Sequence, residues 1–420
     1  MIKKKRFLIT TDDEATWKFD QPVIFLGEWC RIYDRKNIWM NMDATVAKPY
    51  GLNSDLKDRD DFKVKSLENK ILQDLYEILN QNFKKNYSKR FWQIILGPWL
   101  RAILSIILNR INTLKHCLYT EEISGTTIYS SEYASLAIPN IRSGFTYFFD
   151  NEKWNNVLNG RILNLIDNKK ISINYINYKD GKYKYHNLKT YNSKSKQSLK
   201  NNIKKLFYNN LKKLSEKLVK DDDAFLISTY LDLKQLIRLE LKLKQFPQVW
   251  KKLEFNVNAK PDQVLRKYLT QKLLKKSEDE TENISRILLF ELIPVCYLEG
   301  FNDLIKIVNE QPWPKSPKFI FTSNSFGTDE VFKFYTAIKT EKGSKYYIGQ
   351  HGNNYCTRRY FFPGIDEQTA DKFLTWGWDS KFTKFTPMFI FKTAGVEGVY
   401  DKKGGLLLIE KPQFSNFFIE

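Results

Sequence analysis

The sequence predicts an α/β fold built on a Rossmann-like parallel sheet with large helical insertions. Short runs of β-branched and aromatic residues alternate with longer runs that have helical periodicity, which is typical of alternating strands and helices. Residues 318–325, 329–340 and 346–348 form a strand, a helix and a strand, the compact unit that joins parallel strands. The strand-like runs end in polar or glycine-containing segments, and open α/β sheets bind ligands at that edge.

The N-terminal half is expected to supply the first strands and a helical core. Strands are predicted at residues 6–10, 23–26 and 126–130, and helices at residues 66–83, 87–114 and 151–166. The apolar stretch at residues 91–111 contains Gln93, Pro98 and Arg101. These residues favour a buried core helix over a membrane span.

The C-terminal half is predicted to hold an insertion and the motif-bearing strands. Residues 169–220 are polar and include an amphipathic basic helix at residues 194–220, and a strand is expected at residues 223–230. Asp221, Asp222 and Asp223 are expected to form a solvated acidic turn before that strand. Helices dominate residues 233–309, so the region around residues 169–310 is interpreted as a helical insertion.

Composition limits the possible classes of protein. With 42% hydrophobic and 15% aromatic residues in 420, the chain is globular, because disordered chains lack this apolar content. The net charge of +20 is spread along the sequence, so no specific nucleic-acid partner is expected. The charge favours peripheral attraction to an acidic membrane surface. The four cysteines share no CxxC spacing, so a reducing cytoplasm is expected and no metal site is signalled.

The segment at residues 346–355 (YYIGQHGNNY) is the most informative motif. An apolar run ends here at Gln350, His351, Gly352 and Asn353, just beyond the predicted carboxyl end of a strand. Glycine beside the histidine lets a ligand approach the main chain closely. The alternative is a tight turn in which the imidazole only satisfies a neighbouring carbonyl.

Four segments together resemble a family of transferases from bacterial surface-carbohydrate loci. They are residues 7–11 (FLITT) with Trp17, 23–30 (VIFLGEWC), 349–352 (GQHG) and 371–378 (DKFLTWGW). That family is distantly similar to the Kdo and CDP-glycerol glycerophosphate transferases, which have the two-domain GT-B fold. The resemblance extends from about residue 6 to about residue 415.

The resemblance implies a division into domains. Residues 1–395 would form a GT-B-like N-terminal, acceptor-side domain. Residues 396–420, with a strand-like run at 406–409, would begin a truncated C-terminal, donor-side domain, because members of the family continue well past this terminus. On that division the chain would lack most of the donor site, and the sequence leaves open whether it is active alone.

The resemblance also implies a reaction: transfer of a sugar or a related group from a nucleotide-activated donor to a glycan acceptor, with no other cofactor. His351 is expected to contact the donor phosphate or to take part in acid–base chemistry, since its ordinary pKa lies near neutrality. Glu28, Asp13 and Glu14 follow predicted strands and are candidate general bases. A helix cap or a surface ion pair is the alternative for each carboxylate.

Further residues are candidates for substrate binding. Gln350, Gly352 and Asn353 would contact sugar groups beside His351. Trp17, Trp29 and Trp376 could stack on sugar rings, with core packing as the alternative. Arg358 and Arg359 could clamp a phosphate, with a solvated loop as the alternative.

Two other classes of function compete with an enzyme. The first is a non-catalytic module that binds a glycan or a partner through the same cleft, and the second is a basic RNA-binding protein. No GxxxxGK[ST], GxGxxG or HExxH motif occurs. The sequence therefore gives no support to a P-loop ATPase, a Rossmann dehydrogenase or a zinc protease.

Overall fold

A computed structural model gives the fold of most of the chain. It describes residues 4–166, 171–178, 210, 214–253, 255, 258–352, 355, 364–379, 384–398, 404–405 and 408. The predicted α/β class is confirmed, since two five-stranded sheets, each entirely parallel, are surrounded by helices.

The first sheet has the strand order β3-β2-β1-β4-β5. Its strands are β1 (Arg6–Ile9), β2 (Val23–Phe25), β3 (Ala44–Val46), β4 (Ile123–Tyr129) and β5 (Ser172–Ile176). The central strands β1 and β2 are buried apolar runs, as expected for parallel strands covered on both faces.

The second sheet has the order β10-β9-β8-β7-β6. Its strands are β6 (Phe225–Ile227), β7 (Phe319–Thr322), β8 (Lys345–Gly349), β9 (Lys372–Thr375) and β10 (Phe385–Pro387). Strand β6 lies in the region interpreted as a helical insertion, so that region also contributes to a sheet. The division into domains at residue 395 remains a prediction.

Helices connect and cover the two sheets. In chain order, the α-helices of the described residues are α1 (Lys36–Trp39), α2 (Ser54–Phe83), α3 (Lys89–Thr120), α4 (Ile141–Asp150), α5 (Glu152–Leu165), α6 (Leu233–Lys242), α7 (Gln263–Leu273), α8 (Glu280–Leu292), α9 (Phe301–Glu310), α10 (Glu330–Glu341) and α11 (Ile365–Thr369). Side chains cap several N-termini. Ser88, for example, accepts a hydrogen bond from the Phe91 amide at the start of α3.

Helix α3 lies between the two sheets. It packs against α5, which covers β4, and against α10 and α11, which contact β8. Among the described residues it is the one helix long and apolar enough to cross a membrane, and 72% of its most apolar window is buried inside the protein. Buried apolar residues of both sheets belong to one continuous core around it.

One local prediction is wrong, and two others are not tested. Asp223 is buried, contrary to the expected solvated turn, because its carboxylate accepts hydrogen bonds from the Lys220 amide and the Gln248 side chain. The predicted basic helix at residues 194–220 and the strand-like run at residues 406–409 lie mostly outside the described residues.

Candidate functional site

The carboxyl edge of the first sheet has the geometry of a ligand crevice. The strand order reverses between β1 and β4, and open α/β sheets bind ligands at such a switch point. Asp13 follows β1 and Tyr129 ends β4, and the Tyr129 hydroxyl donates a hydrogen bond of 2.5 Å to Asp13 Oδ2. We call these strand ends, with residues 10–14, the first-sheet edge.

A carboxyl pair lies at this edge. The Asp12 amide donates to Glu152 Oε2 at 3.3 Å, and the two side chains are also hydrogen-bonded to each other. Burial, and then Glu152, raises the pKa of Asp12 to about 10. Asp12 therefore keeps its proton at neutral pH. Glu152 begins α5, 140 positions further on, so the sequence does not reveal this pair.

A buried guanidinium accompanies the pair. Arg110 on α3 donates to Asn155 Oδ1 at 3.3 Å, and its guanidinium carbon lies 5.8 Å from the ring centre of Trp29. Burial lowers the pKa of Arg110 to about 10, while Cys30 and Glu152 oppose this shift. The first-sheet edge thus combines a carboxyl pair and a guanidinium that are largely shielded from solvent.

The predicted bases have different surroundings. Asp13 caps the short turn at Glu14–Thr16 and accepts from the Ala15 amide. Glu14 pairs with Arg35 through two bonds of 2.8 and 2.7 Å. The Glu28 side chain is 70% exposed and pairs with Arg31. The cap at Asp13 and the ion pairs of Glu14 and Glu28 match the structural alternatives given for these carboxylates. Of the three, only Asp13 and Glu14 lie beside Asp12.

The predicted tryptophans of this edge are anchored by their indole N–H groups. Trp17 is buried, donates to the Thr11 carbonyl at 3.0 Å and packs edge-on against Phe25. Trp29 is half-buried and donates to the Thr10 carbonyl at 3.2 Å. Trp17 therefore belongs to the core, whereas Trp29 keeps an accessible side.

At the carboxyl edge of the second sheet, Gln350 follows β8 as a structural link. Its Oε1 accepts from the Trp376 amide at 2.9 Å and the Trp378 indole at 2.7 Å, and its Nε2 donates to the Gly352 carbonyl at 2.7 Å. The Trp376 indole donates to the Gln350 carbonyl. These contacts use the polar atoms that were predicted to bind sugar, and they fix the ends of β8 and β9 together.

His351 lies at this edge and is half-buried. Its Nδ1 is 3.1 Å from the Tyr355 hydroxyl, and its ring is nearly parallel to that of Tyr230, with centres 6.4 Å apart. Burial lowers the pKa of His351 below its ordinary value; Asp366 opposes this and Lys252 adds to it. The imidazole is therefore neutral at pH 7.

Neighbouring strand ends contribute further polar groups. After β6, Ser228 and Tyr230 have φ of 50° and 62°, a left-handed conformation that is uncommon outside glycine and clusters at functional sites. The Tyr230 hydroxyl accepts from Asn324 Nδ2 at 2.8 Å, and Ser325 donates to Ser228 at 3.1 Å. We call these residues, together with Gln350 and His351, the second-sheet edge.

Charged side chains surround the second-sheet edge. Lys252 lies at the surface and donates to the Asn324 carbonyl at 2.9 Å. Partial burial of its ammonium group lowers its pKa, Asp329 raises it, and Arg142 lowers it. Asp329 caps α10, and burial raises its pKa to about 6. Its Oδ2 has no hydrogen-bond partner within the described part of the chain. Lys252 therefore lies near His351, and Arg142 and the readily protonated Asp329 lie near Lys252.

Helix α4 connects the two edges. Its Ile141 amide donates to Glu330 at the start of α10, next to the capping residue Asp329. At its other end, the Phe148 carbonyl accepts from Asn155, which contacts Arg110 of the first-sheet edge. A helix of ten residues is about 15 Å long. Helix α4 therefore links contacts of the first-sheet edge to contacts of the second-sheet edge.

Three predicted binding residues, Asn353, Arg358 and Arg359, lie outside the described residues. No group of three or more His, Cys, Asp or Glu suited to a metal ion occurs in the described ranges. The residues that sequence reasoning missed are Asp12, Glu152, Tyr230, Lys252, Tyr355 and Asp366. The acidic run after β1 indicated Asp12 from the sequence. The other five residues come together at the two edges only in the fold, so the sequence did not indicate them.

The fold has two parallel Rossmann-like sheets, each with polar residues at its carboxyl edge. This arrangement is found in α/β proteins that bind ligands at that edge. The sequence matches the LIC12162 family transferases over residues 6–420. The chain belongs to this family and is a transferase. No curated protein matches it. No solved structure matches it either.

Proposed function

We propose that the protein is a glycosyltransferase-like enzyme of bacterial surface polysaccharide synthesis. It moves a sugar or a related group from a nucleotide-activated donor to a hydroxyl of a glycan acceptor. The observation that carries the proposal is the second-sheet edge, where His351 lies among strand-end polar groups and beside Lys252. Such transfer needs a base for the acceptor hydroxyl and positive charge for the leaving phosphate.

The charged groups support a site for the donor phosphate. Lys252 and Arg142 act on the same region, and a phosphate placed between them would relieve their mutual repulsion. Asp329 already caps the N-terminus of α10, so we assign the phosphate to the two cations rather than to the helix amides. With a pKa of about 6, Asp329 can also take up a proton when an anion arrives.

The first-sheet edge supports a site for the acceptor. Asp12 keeps a proton and can donate a hydrogen bond, whereas Asp13 and Glu14 can accept one from a sugar hydroxyl. The accessible side of Trp29 offers an aromatic surface for a sugar ring. The acceptor would then extend along α4 and bring its reacting hydroxyl to His351 at the second-sheet edge. We further propose that the enzyme works at the cytoplasmic face of the inner membrane, where its net charge of +20 favours acidic lipid.

The proposal predicts the behaviour of His351→Ala. With CMP-, CDP- and UDP-activated donors and a hydroxyl acceptor, the wild-type chain is expected to release nucleotide. The variant should lose about 10²- to 10⁴-fold in kcat, the usual contribution of a general base. His116→Ala is the matched control, since His116 lies on α3 near Tyr50.

The same assay can defeat the proposal. If no activated donor is bound or consumed while a glycan still binds, the chain is a glycan-binding module. Equal kcat of His351→Ala and His116→Ala would remove His351 from the chemistry. Circular dichroism and thermal melting of each variant show that a loss of activity is not a loss of fold.

A further inference from the structure

We infer that Tyr355 and Asp366 are positioning residues that hold His351 as the tautomer with its proton on Nδ1 and its lone pair on Nε2. The inference rests on the proposed function for its chemical meaning, because an Nε2 lone pair suits a general base. The contacts themselves concern only these three side chains.

With Asp366 ionised, the hydrogen bonds leave one consistent arrangement of protons. The Tyr355 hydroxyl donates to Asp366 Oδ2 at 2.6 Å, a short distance typical of a bond to a charged acceptor. A tyrosine hydroxyl has one proton to donate. At the 3.1 Å contact with His351 Nδ1, the tyrosine oxygen must therefore accept, and Nδ1 must carry a hydrogen.

This arrangement requires an ionised Asp366. Burial raises the pKa of Asp366 above its ordinary value, and hydrogen bonds from the Tyr355 hydroxyl, its own amide and the Glu367 amide oppose this shift. Both amides lie in the first turn of α11, where a negative charge is favoured. Three hydrogen-bond donors directed at one carboxyl group suit a carboxylate, which only accepts.

The other groups around His351 keep the imidazole neutral. Burial and the positive charge of Lys252 both lower its pKa. Tyr230 and Phe326 flank the ring. Within the described residues Nε2 has no hydrogen bond. A neutral imidazole whose single hydrogen is on Nδ1 is an acceptor at Nε2.

The tautomer distinguishes the two roles considered for His351. An Nε2 without a hydrogen cannot donate to a phosphate, but it can take the proton of an acceptor hydroxyl. As the hydroxyl oxygen forms a bond to the donor, its proton moves to Nε2. The bond from the donor group to the phosphate breaks, and its electron pair leaves with the nucleotide. His351 is therefore the base, and the phosphate is left to Lys252 and Arg142.

The tautomer can be measured without any substrate. The chain contains three histidines, so ¹⁵N-histidine labelling and long-range ¹H–¹⁵N correlation spectra at pH 7 give three ring patterns. His351→Gln identifies the signal of residue 351 by its loss. We expect an Nδ1–H pattern for His351 in the wild-type chain and a shift towards Nε2–H in Tyr355→Phe, which has no oxygen to accept the Nδ1 hydrogen.

Asp366→Asn and Glu367→Gln form a matched pair of variants. Asp366→Asn removes the carboxylate that opposes the lowering of the histidine pKa, so this pKa should fall and the tautomer should change. Glu367 binds the Gly364 amide instead of Tyr355, and its pKa is raised to about 8, chiefly by burial. Glutamine resembles its protonated form, so Glu367→Gln should leave His351 unchanged.

The two levels of the argument fail separately. An Nε2–H pattern in the wild-type chain, or an unchanged pattern in both Tyr355→Phe and Asp366→Asn, would overturn the positioning role whatever the activity. The expected tautomer in a chain that consumes no activated donor would leave the positioning role standing and would overturn the proposed transfer. If both hold, Asp366→Asn should lower kcat at least tenfold with the donor KM unchanged.

Discussion

At the scale of single residues, the pair of Asp12 and Glu152 should make stability depend on pH. The pKa of Asp12 in the folded chain is about 10, against an ordinary value of 3.8. Because the folded value is the higher one, the stabilisation is complete below about pH 4 and is lost as the pH rises towards 10. The slope is at most about 1.4 kcal/mol per pH unit for one proton.

Asp12→Asn removes this dependence, because an amide stays neutral and can still donate to Glu152. We expect the variant to exceed the wild-type chain in free energy of unfolding at pH 9 and to equal it near pH 4, in urea titrations followed by circular dichroism. Asp34→Asn, at an exposed position, is the control. Parallel pH profiles of the wild-type chain and Asp12→Asn would contradict the raised pKa of Asp12.

The sequence predicted the location of a residue where that location depends only on the end of one strand. His351 and Gln350 follow an apolar run that is indeed a strand, so their location at a sheet edge could be inferred. Their partners could not be. Tyr230 is far away in sequence and reaches the imidazole only because β6 is two strands from β8. Local composition does not encode such contacts.

At the scale of elements, β8 depends on a glycine that no local turn explains. A Cβ on Gly349 would lie 2.7 Å from Ser323 Oγ and 2.9 Å from a ring atom of Phe321, both at β7, and 2.8 Å from a ring atom of Phe391. Around Gly352, three positions later, the described residues leave a Cβ nothing within 4 Å. The two glycines beside His351 therefore have different reasons to be present.

Gly349→Ala should destabilise the chain by about 1–3 kcal/mol, the usual cost of adding a methyl group to a packed site. Gly352→Ala should change the free energy of unfolding by less than about 0.5 kcal/mol, as substitutions away from packed features do. Thermal melting and urea titration measure both. Equal stability of the two variants would show that the approach of β7 and β8 is less tight than described.

Elements with a long apolar pattern were predictable, and short ones were not. Helices α3 and α5 and strands β1 and β7 lie where periodicity placed them. Helix α2 begins at Ser54 instead of residue 66, because its first three turns are highly charged and show little apolar periodicity. The three residues of strand β3 are half-exposed or exposed. Its sequence therefore shows no apolar pattern, and only its pairing with the neighbouring strand defines it.

At the scale of the whole molecule, an apolar strand does not reveal which sheet it joins. Phe225–Ile227 and Val23–Phe25 are both buried three-residue strands, yet they belong to different sheets. The sequence therefore predicted the α/β class but not two five-stranded sheets within residues 6–387. Helix α3 accounts for this arrangement, because the apolar residues on its buried faces pack against elements of both sheets.

A buried network fastens α3 to the second sheet. Lys333 on α10 contacts Glu330 Oε2 at 2.9 Å, the Tyr297 hydroxyl, and the Ile95 carbonyl of α3 at 3.3 Å. Glu330 also accepts from the Ile141 amide of α4. Both charged side chains are almost fully buried, so each depends on the other for compensation.

Lys333→Met should destabilise the protein by about 3–5 kcal/mol, because Glu330 would remain as a buried charge without its cation. The double variant Lys333→Met with Glu330→Gln should recover much of this loss, since no buried charge is then left unpaired. Lys306→Met, an exposed change on α9, controls for the loss of one positive charge. Urea titration at pH 7 that gave Lys333→Met the stability of Lys306→Met would show that this network does not hold α3 against the second sheet.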